Sequence, residues 1–181
     1  SYPGLLNVEN AVAAAALAYL AGASAAEIKS GLDNYQGVLR RFDVKYKQGS
    51  QVYIDDYAHH PAELKAVISS VKALYPNRKI TGVFQPHLYS RTRDFADEFA
   101  ESLDLLGETI LVPIYPAREE PIPGVTSELI FGKMKNRNKY LVEKEEVEKL
   151  LKDRKTEVVL TMGAGDIDGI GEQIIAVLKG K

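Results

Sequence analysis

With 181 residues, 23 Lys plus Arg against 25 Asp plus Glu and a formal charge of −2, the chain suffices for one domain and part of another. Its near balance gives no global field to hold a polyanion, and the longest apolar stretch, Ala11 to Ala23, is too short and alanine-rich to span a bilayer, so neither nucleic acid nor membrane is an expected partner. A hydrophobic content of 45% excludes disorder as the main state, and the absence of cysteine excludes a disulfide scaffold, a thiolate nucleophile and a cysteine zinc site.

The opening Ser1-Tyr2-Pro3-Gly4 runs into a helical pattern without an initiator Met and reads as the start of a piece of something longer. Asn7 to Leu20 is dominated by alanine, with Asn7 as N-cap and Gly22 as a stop, which predicts a helix packed closely against something large. Ser24, followed three residues later by Glu27, forms a capping box that opens a second short helix, and Gly31 to Gly37 breaks it. From Phe42 to Lys47 the pattern alternates, Gly49-Ser50 turns, and Gln51 to Asp55 returns as the second strand of a hairpin. A domain boundary is placed between Gly37 and Arg41, dividing residues 1–39 from 40–181.

Beyond the hairpin, helices and strands alternate. Pro61 to Leu74 is helical with proline in the first turn, Ile80 to Phe84 is a strand, and Arg91 to Leu106 reads as one amphipathic helix with Phe95, Phe99, Leu103 and Leu106 on a stripe. Strands follow at Thr109 to Pro113, Lys139 to Val142 and Glu157 to Met162, with helices at Thr126 to Lys135, Val147 to Lys152 and Ile167 to Leu178. This order predicts an α/β fold: a mostly parallel sheet with helices on both faces and the hairpin as an antiparallel edge.

Ligands of such sheets bind outside the carboxyl ends of the strands. Four polar segments occupy that rim: Asp55-Asp56-Tyr57-Ala58-His59-His60-Pro61, Gln85 through Arg93, Tyr115 through Glu119, and Gly163-Ala164-Gly165-Asp166. All three histidines lie in the first two, so one site is the economical reading. The paired carboxylates and imidazoles could ligate a metal, hold a ribose or orient a phosphate. Metal is disfavoured because neighbouring residues on an extended chain point to opposite sides, and the plain alternative is that Asp56 caps the next helix. His87, Tyr89, Arg91 and Arg93 at a helix start suggest an anion clamp led by Arg91, whereas Arg93 could simply pair with Asp94 or Asp97.

The Gly-Ala-Gly segment is a tight turn, serving either a ligand or close strand-to-helix packing. Asn7 and Asn10 could be mere caps, and Arg40-Arg41 a solvated pair on a linker. No Gly-rich loop with Lys-Ser/Thr is present to cradle a triphosphate.

Together, Asn7-Val8-Glu9-Asn10-Ala11, Arg40-Arg41-Phe42, Asp55 through Pro61, Gln85 through Arg93 and Gly163 through Ile167 resemble, in order and spacing, the C-terminal part of the Mur ligases, in the branch that joins L-alanine to UDP-N-acetylmuramate. The resemblance covers essentially the whole chain. It implies that residues 1–39 are the helical tail of a central ATPase domain and 40–181 a Rossmann-like ligase domain, with the N-terminal and central domains of the same cytoplasmic bacterial protein as partners. It further implies ATP and Mg2+ in the full enzyme, which makes an acyl phosphate attacked by the amine of L-alanine for cell-wall peptidoglycan; neither is expected tightly bound to these residues alone.

By the same resemblance, Asn10, Arg41 and Asp56 are the ATP-binding candidates, Tyr57, His60 and His87 meet the muramate and amino acid, and His59 and Arg91 carry catalysis. The family usually has histidine where Leu6 stands, which alters the adenine pocket. Two related readings are a domain of the murein-peptide-recycling ligase and a stand-alone nucleotide or phospho-sugar binding module; a third is a metallohydrolase built on Asp55, Asp56, His59, His60 and His87.

Overall fold

The computed structural model describes residues 5–180, with side chains from residue 7 onward, so the Ser1-Tyr2-Pro3-Gly4 opening and the Leu6 side chain lie outside the described residues. Helix α1 (Leu5–Leu20) includes Asn7 within its first turn, so Asn7 is not its N-cap. Helix α2 (Ala25–Asp33) is held by the predicted capping box, in which the Ser24 N–H donates to Glu27 at 2.8 Å. Gly31 does not break it: the helix continues to Asp33 and ends at Asn34, whose side-chain amide also donates to the Ser30 carbonyl.

These two helices pack on each other and leave Val12, Leu17 and Leu20 at 64%, 68% and 80% exposure, so the large surface expected against α1 is not supplied by the described residues. A groove of about 710 Å3 runs between them.

Strands β1 (Asp43–Gln48) and β2 (Gln51–Asp56) form the hairpin, with a bulge between Val44 and Tyr46. Then come α3 (Pro61–Leu74), β3 (Ile80–Phe84), α4 (Tyr89–Asp94), α5 (Ala96–Leu103), β4 (Glu108–Leu111), α6 (Ser127–Lys133), β5 (Lys139–Leu141), α7 (Val147–Lys152), β6 (Val158–Met162) and α8 (Gly171–Lys179). Sheet order is β1-β2-β6-β3-β4-β5, parallel except for the hairpin. The mostly parallel sheet with its antiparallel edge is therefore as expected.

Alternation along the central strands separates two cores. Ile54, Phe84, Leu111 and Leu160 pack with Leu64 and Ile68 of α3, Phe99 of α5 and Ile130 of α6, whereas Tyr53, Val83, Ile110 and Val159 pack with Leu151 of α7 and Ile174 of α8. Both faces of the sheet are thus covered, and these central strands are buried apart from Gln51 at the start of β2.

Two helices differ from expectation. The stretch from Arg91 to Leu106 is broken at Phe95 (φ −121°, ψ 24°), where the chain turns from α4 into α5 and the Phe95 ring meets His60 edge-on. The apolar stripe survives because Phe99, Leu103 and Leu106 remain buried on the same side of the sheet. The last helix begins as a 3-10 turn at Ile167–Ile170 before α8 proper.

Candidate active site

Four loops leave the carboxyl ends of β2, β3, β4 and β6, and they touch one another. Tyr115 and His87 form a parallel bridge, with the Tyr115 N–H donating to Pro86 O and the Leu88 N–H to Tyr115 O. Their rings stack at 5.8 Å with a 15° interplanar angle. His59 meets His87 edge-on at 5.8 Å and Tyr57 at 5.3 Å. Gln85 donates to Asp166 at 2.8 Å, which ties the β3 loop to the β6 loop.

Within this cluster the histidine protons are assigned by their partners. His59 Nδ1 lies 2.9 Å from the Tyr57 carbonyl, which can only accept, so Nδ1 carries a proton and, whenever the ring is neutral, its lone pair is on Nε2. Glu63 holds this geometry from below, accepting from the His59 and His60 N–H groups at 2.9 and 3.2 Å. Although burial pushes the Glu63 carboxyl up, those N–H bonds and the adjacent His59 outweigh it and hold the carboxyl below its ordinary range. His87 accepts at Nδ1 from Arg91 at 3.3 Å, and burial, then the positive charge of Arg91 and the neighbouring His59, lower its pKa. It therefore favours the neutral form that can orient a guanidinium.

Arg91 also donates to His87 O at 3.4 Å but pairs with no carboxylate among the described residues. The start of α4, by contrast, is already satisfied. The Ser90 N–H and hydroxyl both donate to Glu119, whose carboxyl is held below the usual range by those bonds. The anion at this helix start is the protein's own, which leaves Arg91 as the cationic group of the clamp. Arg93 takes the plain alternative and pairs with exposed Asp94 at 2.7 Å.

Asp56 does not cap α3. It is buried, and its two oxygens accept the N–H groups of Phe42 at 2.7 Å and Ala58 at 2.8 Å. Burial raises its pKa against those bonds and against nearby Arg41. Arg41 is exposed, with its guanidinium 5.2 Å from the centre of the half-buried Tyr57 ring. His60, the N-terminal flanking residue of α3, has its ring on Phe95 at 4.8 Å rather than in the His59–His87 pair. Asn10 is exposed on α1 and lines the α1–α2 groove with Ala14, Ile28 and Tyr35.

The Gly163–Asp166 turn is a packing device. A Cβ at Gly165 would sit 2.4 Å from Gln85 Oε1 and 2.5 Å from the Tyr115 ring, and Gly163 adopts φ +149° beside the Gln85 carbonyl. Its carbonyls face Arg40, for which the sequence left a solvated pair with Arg41 as an open reading. The Arg40 guanidinium donates to Gly163 O at 2.6 Å, Gly165 O at 2.9 Å and the fully buried Asp55 at 3.2 Å, and pairs with Asp168 at 3.2 Å. Those carbonyls lie 123 and 125 residues along the chain, so no local pattern reveals them. Among the described residues no three His, Asp or Glu side chains converge as metal ligands.

A protein-family profile described as "Mur ligase, glutamate ligase domain" matches residues 40–165. The chain belongs to the Mur ligase family. UDP-N-acetylmuramate–L-alanine ligases of Phocaeicola vulgatus and Parabacteroides distasonis are 52% and 54% identical to it over 99% and 97% of its length. The chain spans only 39% and 38% of those relatives. Among solved Mur ligase structures, the UDP-N-acetylmuramate–alanine ligase of Thermotoga maritima superposes with a TM-score of 0.81 at 30% identity, covering 98% of this chain and 39% of that one. A murein peptide ligase from Psychrobacter arcticus shares the fold (TM-score 0.68, 23% identity, 100% of this chain and 38% of that one). No described helix is long and apolar enough to cross a membrane.

Proposed function

We propose that this chain is the C-terminal portion of an ATP-dependent ligase that joins L-alanine to UDP-N-acetylmuramate for peptidoglycan, working in the cytoplasm with Mg2+ and ATP held largely by residues outside it. Two relatives above 50% identity carry that name along nearly the whole chain. Residues 1–39 are read as the tail of a central ATPase domain: the family match begins at residue 40, and α1 exposes Val12, Leu17 and Leu20.

The observation that carries the reading is the juxtaposition of Arg91, which has no carboxylate partner among the described residues, with two imidazoles whose polar atoms are fixed. In the reaction, the muramate carboxylate attacks the terminal phosphorus of ATP and ADP leaves. The alanine nitrogen then attacks the acyl carbon, loses a proton, and the bond from that carbon to the phosphate oxygen breaks. Arg91 stabilises the oxyanion of the tetrahedral intermediate, oriented by neutral His87, and His59 Nε2 accepts the proton from the attacking nitrogen. Tyr57 and His87 shape the acceptor side, with His60 behind them on Phe95. Arg41 reaches the ATP phosphates from its exposed position, Asn10 contacts the adenine, and Asp56 lies by the ribose side while holding Phe42 and Ala58.

The test is ADP formation by the full-length protein that contains this chain. Dependence on both UDP-N-acetylmuramate and L-alanine is expected there, with no turnover by the 181 residues alone. Alanine-dependent ADP release by the isolated chain would contradict the division of labour, and stoichiometric tightly held zinc or manganese would favour a hydrolase instead.

A further inference from the structure

The segment Arg40–Phe42 joins the two helices to the sheet, yet Arg40 and Phe42 are bound to the sheet domain. Arg40 and Phe42 both adopt positive φ, 60° and 49°, a conformation that side chains with a Cβ resist unless the surroundings impose it. The surroundings are explicit. The Tyr57 N–H donates to Arg40 O at 2.6 Å, the Arg40 N–H to Asp43 at 3.2 Å and the Phe42 N–H to Asp56 at 2.7 Å. The Arg40 side chain spans Asp55, Asp168 and the carbonyls of Gly163 and Gly165, and Asp55 is itself held by Thr161 at 2.6 Å. Phe42 is buried in the core beneath them.

Between two residues fixed in this way stands exposed Arg41. The Arg41 N–H donates back to Val38 O at 3.1 Å, and upstream of it Gly37 adopts φ +86° while Val38 and Leu39 are 53% and 78% exposed.

We propose that Arg40 is a positioning residue for ATP: it locks the 40–42 segment onto the sheet domain so that Arg41 is carried at a fixed place. The inference rests on the reading that Arg41 contacts the ATP phosphates. Arginine suits the role because a planar fork can serve two carbonyls and a carboxylate together, whereas a lysine ammonium on its single stem cannot span them.

Steady-state kinetics of the full-length protein with Arg40→Lys, Arg40→Ala, Arg41→Ala and the Arg40→Ala/Arg41→Ala double variant test it. Displacement of a positioned group costs on the order of ten- to a hundredfold, so both Arg40 variants should raise KM for ATP by about tenfold or more. KM for UDP-N-acetylmuramate should stay within about twofold, as expected when only one substrate's contacts move. Because Arg40 acts through Arg41, adding Arg40→Ala to Arg41→Ala should worsen KM for ATP by less than about twofold. A full multiplicative effect in the double variant, or a wild-type KM in folded Arg40→Lys, overturns the proposal.

Hydrogen exchange of the wild-type protein decides it even if the variants fail to fold. Amides of Phe42 and Tyr57 should be protected like those of β2; exchange of either as fast as in an unfolded chain refutes the lock. If Arg41→Ala alone leaves KM for ATP unchanged, the ATP reading fails, and the exchange result still judges the lock separately.

Discussion

Replacing Gly165 with alanine separates a packing turn from a phosphate cradle. The added Cβ would fall 2.4 Å from Gln85 Oε1 and 2.5 and 2.6 Å from Cγ and Cβ of Tyr115, all below the 3.0 Å that real Cβ contacts respect. Neither neighbour can give way cheaply. Gln85 is 5% exposed and bonded to Asp166, while Tyr115 is held through its backbone to Pro86 and Leu88. Overpacking of this kind costs about 3 kcal/mol, at the upper part of its usual range. For a domain of this size, that corresponds to a fall in melting temperature of roughly 6–12 °C.

Gly132→Ala in α6 is the control, since a Cβ there meets nothing within 4 Å. It should gain about 0.5 kcal/mol from restricting the unfolded chain. Circular dichroism melts of the two variants provide the comparison. A Gly165→Ala protein melting within about 1 °C of wild type would refute the packing argument, and unchanged melting with lost ATP binding would return the turn to the ligand.

Other consequences concern charge. His87 has its pKa lowered from 6.5 by burial and by Arg91 and His59. A depressed value means its contribution to stability is present above 6.5 and lost as pH falls through the folded pKa. Asp55 and Asp56, both raised by burial, act in the opposite sense, so the readout is a difference: His87→Gln should lose less stability than wild type between neutral and mildly acidic pH in urea titrations. An identical pH slope would show that His87 is not the group responsible. At the other end of the sheet, Glu108 is 1% exposed and pairs with Lys79 and with Arg154 at 2.9 Å. Its replacement by alanine should cost about 2 kcal/mol, below the usual value for a broken buried pair because both cations are partly solvated. The KM values of the full-length enzyme should not change, and a shift in them would place this cluster in function.

The sequence is most legible where local chemistry and packing agree. Pro61 at the first turn and the apolar spacing of Leu64, Ile68 and Val71 delimit α3, and the run from Ile80 to Phe84 stands out as a buried strand. The continuous stripe through Phe95, Phe99 and Leu103 hides the break between α4 and α5, because helical periodicity persists across a change of axis. Asn7 looks like a cap from its residue type alone, yet helix α1 already includes Leu5. At the rim, the meeting of His59, His87 and Arg91 is foreseeable from strand ends in a parallel sheet. The tasks of Arg40, Glu63 and Glu119 are not, since each depends on backbone groups or loops that only the fold brings near.

The most direct test of the proposed chemistry is kcat of the full-length ligase carrying Arg91→Ala, measured by alanine-dependent phosphate release alongside its melting temperature. Loss of a positioned cation at the developing oxyanion predicts a fall of about a hundredfold or more in kcat with the melting temperature nearly unchanged. A kcat within about twofold of wild type would mean that the joined loops stabilise no such charge.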